Sequence, residues 1–81
     1  MMESERDWAF WEMHPNGDEF VMALSGQFRM YCEDGSRAWS ETLVPGQFIV
    51  VKRGIWHTAD VLATGRMLFI TQGEGTLHRG R

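Results

Sequence analysis

Residues 28–32 read Phe-Arg-Met-Tyr-Cys, which sets Phe28, Met30 and Cys32 on one face and Arg29 and Tyr31 on the other. A period of two marks a half-buried strand, because successive side chains of an extended chain point to opposite faces. Asp34-Gly35 then closes a hairpin onto a second strand over residues 37–42. Residues 48–51 and 67–70 are apolar at every position, the pattern of strands covered on both faces, and are expected to lie deep between layers. Further strands are expected over residues 7–13, 20–24 and 57–61.

Turn signals recur at short, fairly even intervals: Pro15-Asn16-Gly17-Asp18, Ser25-Gly26, Asp34-Gly35-Ser36, Pro45-Gly46, Arg53-Gly54, Thr64-Gly65 and Gly73-Glu74-Gly75. That spacing leaves room for strands of five to seven residues but not for helices of ordinary length. The pattern predicts an all-β chain, a small barrel or sandwich of antiparallel strands. No fixed-period repeat, low-complexity stretch or linker interrupts it. Both ends, residues 1–5 and 73–81, are expected to fray or to be available to a neighbour.

With 81 residues, 43 % of them hydrophobic and 12 % aromatic, the chain suits one small globular domain over residues 1–81. A core of this size is marginal, and a partner subunit would relieve it. The net charge is −3 and the only lysine is Lys52, so no basic stripe exists to neutralise a run of phosphates, and nucleic acid is not an expected partner. The apolar runs fall far short of the ~20 residues that span a bilayer. Residues 1–6 are charged and precede no apolar stretch with a cleavage site, so cytoplasmic residence is the expectation. The single cysteine, Cys32, fits a reducing compartment, and no His or Lys adjoins it in sequence to make it a nucleophile.

The three histidines carry the candidate chemistry. In a strand ending near Met13, Glu12 and His14 project together, while Trp11 and Met13 point away. Glu19 opens the next strand across a tight turn, and His57 lies on a later strand able to cross the same interior. Two imidazoles with one or two carboxylates suit a divalent transition metal (Fe, Mn, Ni or Zn) better than Ca or Mg, which prefer oxygen shells. Each residue also has a plainer reading: a packed core His57, a turn-stabilising Glu19 or its neighbour Asp18, a solvent-facing Glu12. His78 reads as a solvated tail residue. Trp8, Trp11, Trp39 and Trp56 read as core or dimer-interface anchors, and Met22 and Met30 as packing.

Residues 12–26, Glu-Met-His-Pro-Asn-Gly-Asp-Glu-Phe-Val-Met-Ala-Leu-Ser-Gly, resemble the first motif of the cupin superfamily, G-x5-H-x-H-x(3,4)-E-x6-G. Residues 46–61, Gly-Gln-Phe-Ile-Val-Val-Lys-Arg-Gly-Ile-Trp-His-Thr-Ala-Asp-Val, resemble the second, G-x5-P-x-G-x2-H-x3-N. His14, Glu19, Gly26, Gly46, Gly54 and His57 fall on motif positions. Arg6, Glu12, Lys52 and Val61 depart from the pattern, standing where Gly, the first His, Pro and Asn would be. The resemblance implies a small antiparallel cupin-like β-barrel, a double-stranded β-helix or jelly roll, with strand exchange in a homodimer as one way to complete it. It implies a metal held by His14, Glu19 and His57, with Glu12 as a fourth, oxygen ligand; a three-coordinate site and loss of metal are the alternatives. The expected ligand is a small organic molecule of sugar or organic-acid type. Isomerase, oxygenase, lyase and decarboxylase chemistry all fit, as does metal-free binding without catalysis. Arg29 and Tyr31 would orient that ligand if they face the lumen; the opposite facing is equally allowed.

Overall fold

The computed structural model describes residues 2–4 and 6–81, the first three as backbone only. Among them lie β1 (Met2–Ser4), β2 (Phe10–Met13), β3 (Glu19–Ala23), β4 (Gln27–Glu33), β5 (Ala38–Leu43), β6 (Phe48–Val51), β7 (Trp56–Ala63), β8 (Gly65–Thr71) and β9 (Leu77–Gly80). The described residues form no helix, as the turn spacing requires. A four-stranded sheet runs in the order β1-β8-β3-β6 and a five-stranded sheet in the order β5-β4-β7-β2-β9; every pairing is antiparallel. The two sheets form a small barrel, as the alternation and the turns point to, of the jelly-roll kind that the cupin resemblance implies.

The turn chemistry is visible residue by residue. At the β4–β5 hairpin Asp34 Oδ1 accepts hydrogen bonds from the amides of Ser36 and Arg37, and Gly35 takes the left-handed conformation, φ 89°, that a side chain would disfavour.

Val21 and Ala23 of β3 and Met67 of β8 face Phe28 and Met30 of β4, Leu43 of β5 and Ala59 of β7, and these residues make the core. Alternation on β4 is therefore settled: Phe28, Met30 and Cys32 point inward, and Arg29 and Tyr31 outward.

Two expectations need correction. The apolar runs in β6 and β8 are covered on one face only: Val51 and Met67 are buried, but Phe48 is 56 % exposed and Ile70 55 %. An apolar residue on an open sheet face reads the same in sequence as one between layers. Nor does the C-terminal end fray. Residues 77–80 form β9, paired with β2 from Phe10↔Gly80 to Met13↔Leu77. Arg79 lies over the rings of both Trp11 and Trp56 and pairs with Glu33, while Arg81 pairs with Asp60. At the other end, residues 2–4 pair with β8, and Met1 and Glu5 lie outside the described residues.

Candidate metal centre

Register builds the site. Glu12 of β2 stands opposite His57 of β7, so the two side chains share the inner face of the five-stranded sheet. Glu19 opens β3 in the facing sheet, opposite Val51 and Thr71, and is only 3 % exposed. His14 follows β2 directly, and its carbonyl accepts a hydrogen bond from the amide of Gly54, which ties the two motif turns together.

The four side chains converge. Nε2 of His57 lies 3.0 Å from Oε1 of Glu19, Nε2 of His14 lies 3.3 Å from Oε2 of Glu19, and the same His14 nitrogen is 3.9 Å from Oε2 of Glu12. Glu12, His14 and His57 each offer a donor atom within 4.8 Å of the others. Glu19 sits between the two imidazoles, one oxygen towards each.

The hydrogen bonds around this cluster leave three of its buried polar atoms without a partner. His57 Nδ1 faces the Ile55 carbonyl at 3.2 Å, an oxygen that only accepts, so Nδ1 carries a proton and Nε2 is the nitrogen aimed at Glu19. Nε2 of His57, Nε2 of His14 and Oε1 of Glu19 are all buried, yet none has a hydrogen-bond partner. His57 Nε2 and Glu19 Oε1 face each other at 3.0 Å. Buried polar atoms without partners are costly, and here three of them lie side by side. Two nitrogens and two carboxylates brought together in this way fit a divalent transition ion.

Electrostatics agree. Burial raises the Glu19 pKa, but the contact with His57, the hydrogen bond from the Thr71 hydroxyl and the nearby imidazoles more than reverse that effect. The Glu19 carboxyl is held below its ordinary value and stays anionic at neutral pH.

A cavity of about 260 Å³ opens beside the cluster, lined by Trp8, Ala9, Phe10, Glu12, Glu19 and Phe69. Trp8 packs edge-on to His57 and tilted against Phe69, so one wall is aromatic and the other carries the two carboxylates. That is the outline of a small-molecule site.

Other candidates fall elsewhere. Asp18 is not in the cluster: its carboxylate accepts from the Arg53 amide at 2.9 Å and lies 3.4 Å from Lys52, contacts that lower its pKa and hold the turn. Arg29 and Tyr31 do not line the lumen, because their alternation turns them to the outer face, where Arg29 Nε donates to Thr42 Oγ1. Cys32 stands opposite His57, but burial pushes its thiol up to about 11 and Glu41 adds to the rise. Of the four tryptophans only Trp8 packs against the core, and it also lines the cavity. Trp11 and Trp56 flank Arg79, and Trp39 lies under Arg37.

Thr76 carries no signal of its own in the sequence, and His78, read there as a solvated tail residue, stands at the rim of the site. The Thr76 hydroxyl lies 2.9 Å from Nδ1 of His14, and Nε2 of His78 lies 3.8 Å from Oε1 of Glu12. Gly73-Glu74-Gly75 was their only local signal, a turn able to send the chain back over the site.

The chain belongs to the cupin superfamily: the family model for the cupin domain matches residues 4–71. No curated protein and no solved structure matches the chain. Small-molecule binding of the cupin type is thus supported by the family and by a cavity in the expected place. Among the described residues no helix is long and apolar enough to cross a membrane.

Proposed function

We propose that this chain is a metal-dependent cupin that holds a divalent transition ion between His14, Glu19, His57 and Glu12 and acts on a small organic molecule in the adjoining cavity. The observation that carries this reading is the set of three buried, partnerless donor atoms, His14 Nε2, His57 Nε2 and Glu19 Oε1. A bound divalent ion would supply Lewis-acid polarisation of a ligand oxygen.

The chain's own residues do the rest. The Ile55 carbonyl keeps His57 Nε2 turned inward, and the Thr71 hydroxyl holds one oxygen of Glu19. Trp8, Phe10 and Phe69 exclude water from one side of the ligand and favour a short apolar body. Glu12, one-third exposed at the cavity wall, is the carboxylate that would exchange a proton with a bound molecule when it does not hold the ion. A ligand of sugar or organic-acid type has the polar head and size for this space.

Calorimetric titration with Fe(II), Mn(II), Ni(II) and Zn(II) tests the reading. The parent is expected to bind about one equivalent of at least one ion, and Glu19→Gln none; a parent silent to all four would contradict it. The competing reading, a metal-free binding module, draws support from the proximity of Glu19 to both histidines, which lets His14-Glu19-His57 balance its own charge. Under that reading the titration is silent while a ligand still binds in the cavity.

We also propose that a second copy of the chain covers the outer face of the four-stranded sheet. Phe20, Met22, Phe48, Val50, Leu68 and Ile70 meet there in cross-strand register, with Arg66 at the end of the same face of β8, and Phe20 and Phe48 stack at 5.0 Å. Contiguous apolar patches of this kind mark contact sites, and a two-fold partner presents the same apolar surface. Light scattering should give a dimer for the parent and a monomer for Phe48→Ser; a monomeric parent at high concentration would refute it.

A further inference from the structure

The segment after Thr71 lies outside the family match, yet it returns to the site and touches two of its residues. Its path has local causes. Gly73 and Gly75 both take positive φ, 90° and 84°, which only glycine adopts readily. A Cβ on Gly73 would fall 2.8 Å from the Asn16 carbonyl, so this loop packs directly onto the turn between β2 and β3. The Asn16 side-chain amide donates to the Glu74 carbonyl at 2.8 Å and seals that contact. The chain then enters β9, whose register sets His78 opposite Glu12.

Glu12 consequently has a histidine opposite it on each side, His57 on β7 and His78 on β9. Its two oxygens divide accordingly, Oε2 towards His14 at 3.9 Å and Oε1 towards His78 at 3.8 Å. On His14 the nitrogen remote from the cluster, Nδ1, meets the Thr76 hydroxyl at 2.9 Å. A hydroxyl can accept the Nδ1 proton, and that tautomer leaves Nε2 with a free lone pair facing Glu19.

We infer that the C-terminal segment of residues 72–80 is an orienting part of the metal centre, with Thr76 and His78 as positioning residues for His14 and Glu12. The inference rests on the metal reading above. His57 takes its orientation from a backbone carbonyl within its own motif, whereas His14 takes it from a side chain 62 positions away. Partners of this kind set the tautomer and ring angle of a ligating histidine, and their loss costs ~10–100-fold in metal affinity.

The test compares the parent with Thr76→Val, Thr76→Ser and His78→Ala, using two readouts. Zn(II) affinity is measured by competition with a chromophoric chelator, and the His14 tautomer is read in metal-free protein from imidazole 15N shifts. Thr76→Val should lose ~10-fold or more in affinity and move the His14 proton off Nδ1. Thr76→Ser should restore both, and thermal unfolding of all variants should stay near that of the parent. His78→Ala should lose less, because that side chain is half exposed. Unchanged affinity together with an unchanged tautomer in Thr76→Val would overturn the inference. A Thr76-dependent tautomer in a parent that binds no metal would uphold the orienting contact and sink the metal reading alone.

Discussion

His57 and Glu19 are 0 % and 3 % exposed on inner strands, whereas His78 sits on the edge strand β9 and Glu12 on β2 beside it, and both open to water. The deep pair owes its position to the central registers of both sheets and to the core behind them. His78 owes its position to the C-terminal segment, anchored by the Arg79 and Arg81 ion pairs, and Glu12 is held between that segment's β9 and β7. The deep half is thus expected to be rigid and decisive for holding an ion. The rim half is adjustable, suited to ligand access and proton exchange.

Substitutions can break this contrast. The largest effect belongs to the deep half: His57→Ala or Glu19→Gln should abolish stoichiometric Zn(II) binding, because each removes a buried donor that no other side chain replaces. Glu12→Ala should weaken binding by a smaller factor, on the order of 10-fold, while cutting any turnover more steeply. Equal losses in Glu12→Ala and His57→Ala, measured by the same chelator competition, would dissolve the distinction between the halves.

Smaller effects sharpen it. The Arg81 guanidinium beside Asp60 holds that carboxyl below its usual value, and Arg81 also donates to the carbonyls of Trp8 and Ala59. A lowered folded-state pKa contributes stability that is full above the unfolded value of ~3.9 and is lost as pH falls through the folded value. Asp60→Asn should therefore cost no more than ~1 kcal/mol in urea unfolding at pH 7, with the difference from the parent vanishing at low pH. A difference that persisted unchanged into strong acid would show that the ion pair is not its cause. The smallest effect is expected at Cys32. With its thiol buried and pushed up to about 11, it should resist alkylation at pH 8 in the native protein and react on unfolding.

The contrast also marks how far the sequence could be read. Glu12, His14, Glu19 and His57 were legible because parity puts Glu12 and His14 on one face and motif spacing adds Glu19 and His57, and the structure does bring the four together. The choice between Asp18 and Glu19 needed the Arg53 amide, a partner 35 positions away, to draw Asp18 into the turn. The facing of Arg29 and Tyr31 needed a second sheet, since parity alone defines two faces without saying which is inside. Thr76 and His78 lay in a segment with the composition of a loose end. Its strand character comes from pairing with β2 and from Arg79 between two tryptophans, interactions that leave no periodic trace in nine residues.

The claim that these side chains form a metal centre is tested most directly by elemental analysis of the untagged protein as isolated, beside the His14→Ala/His57→Ala double variant. The account predicts near-stoichiometric Fe, Mn, Ni or Zn in the parent and none in the variant. A parent free of metal, even after incubation with each ion, would contradict it.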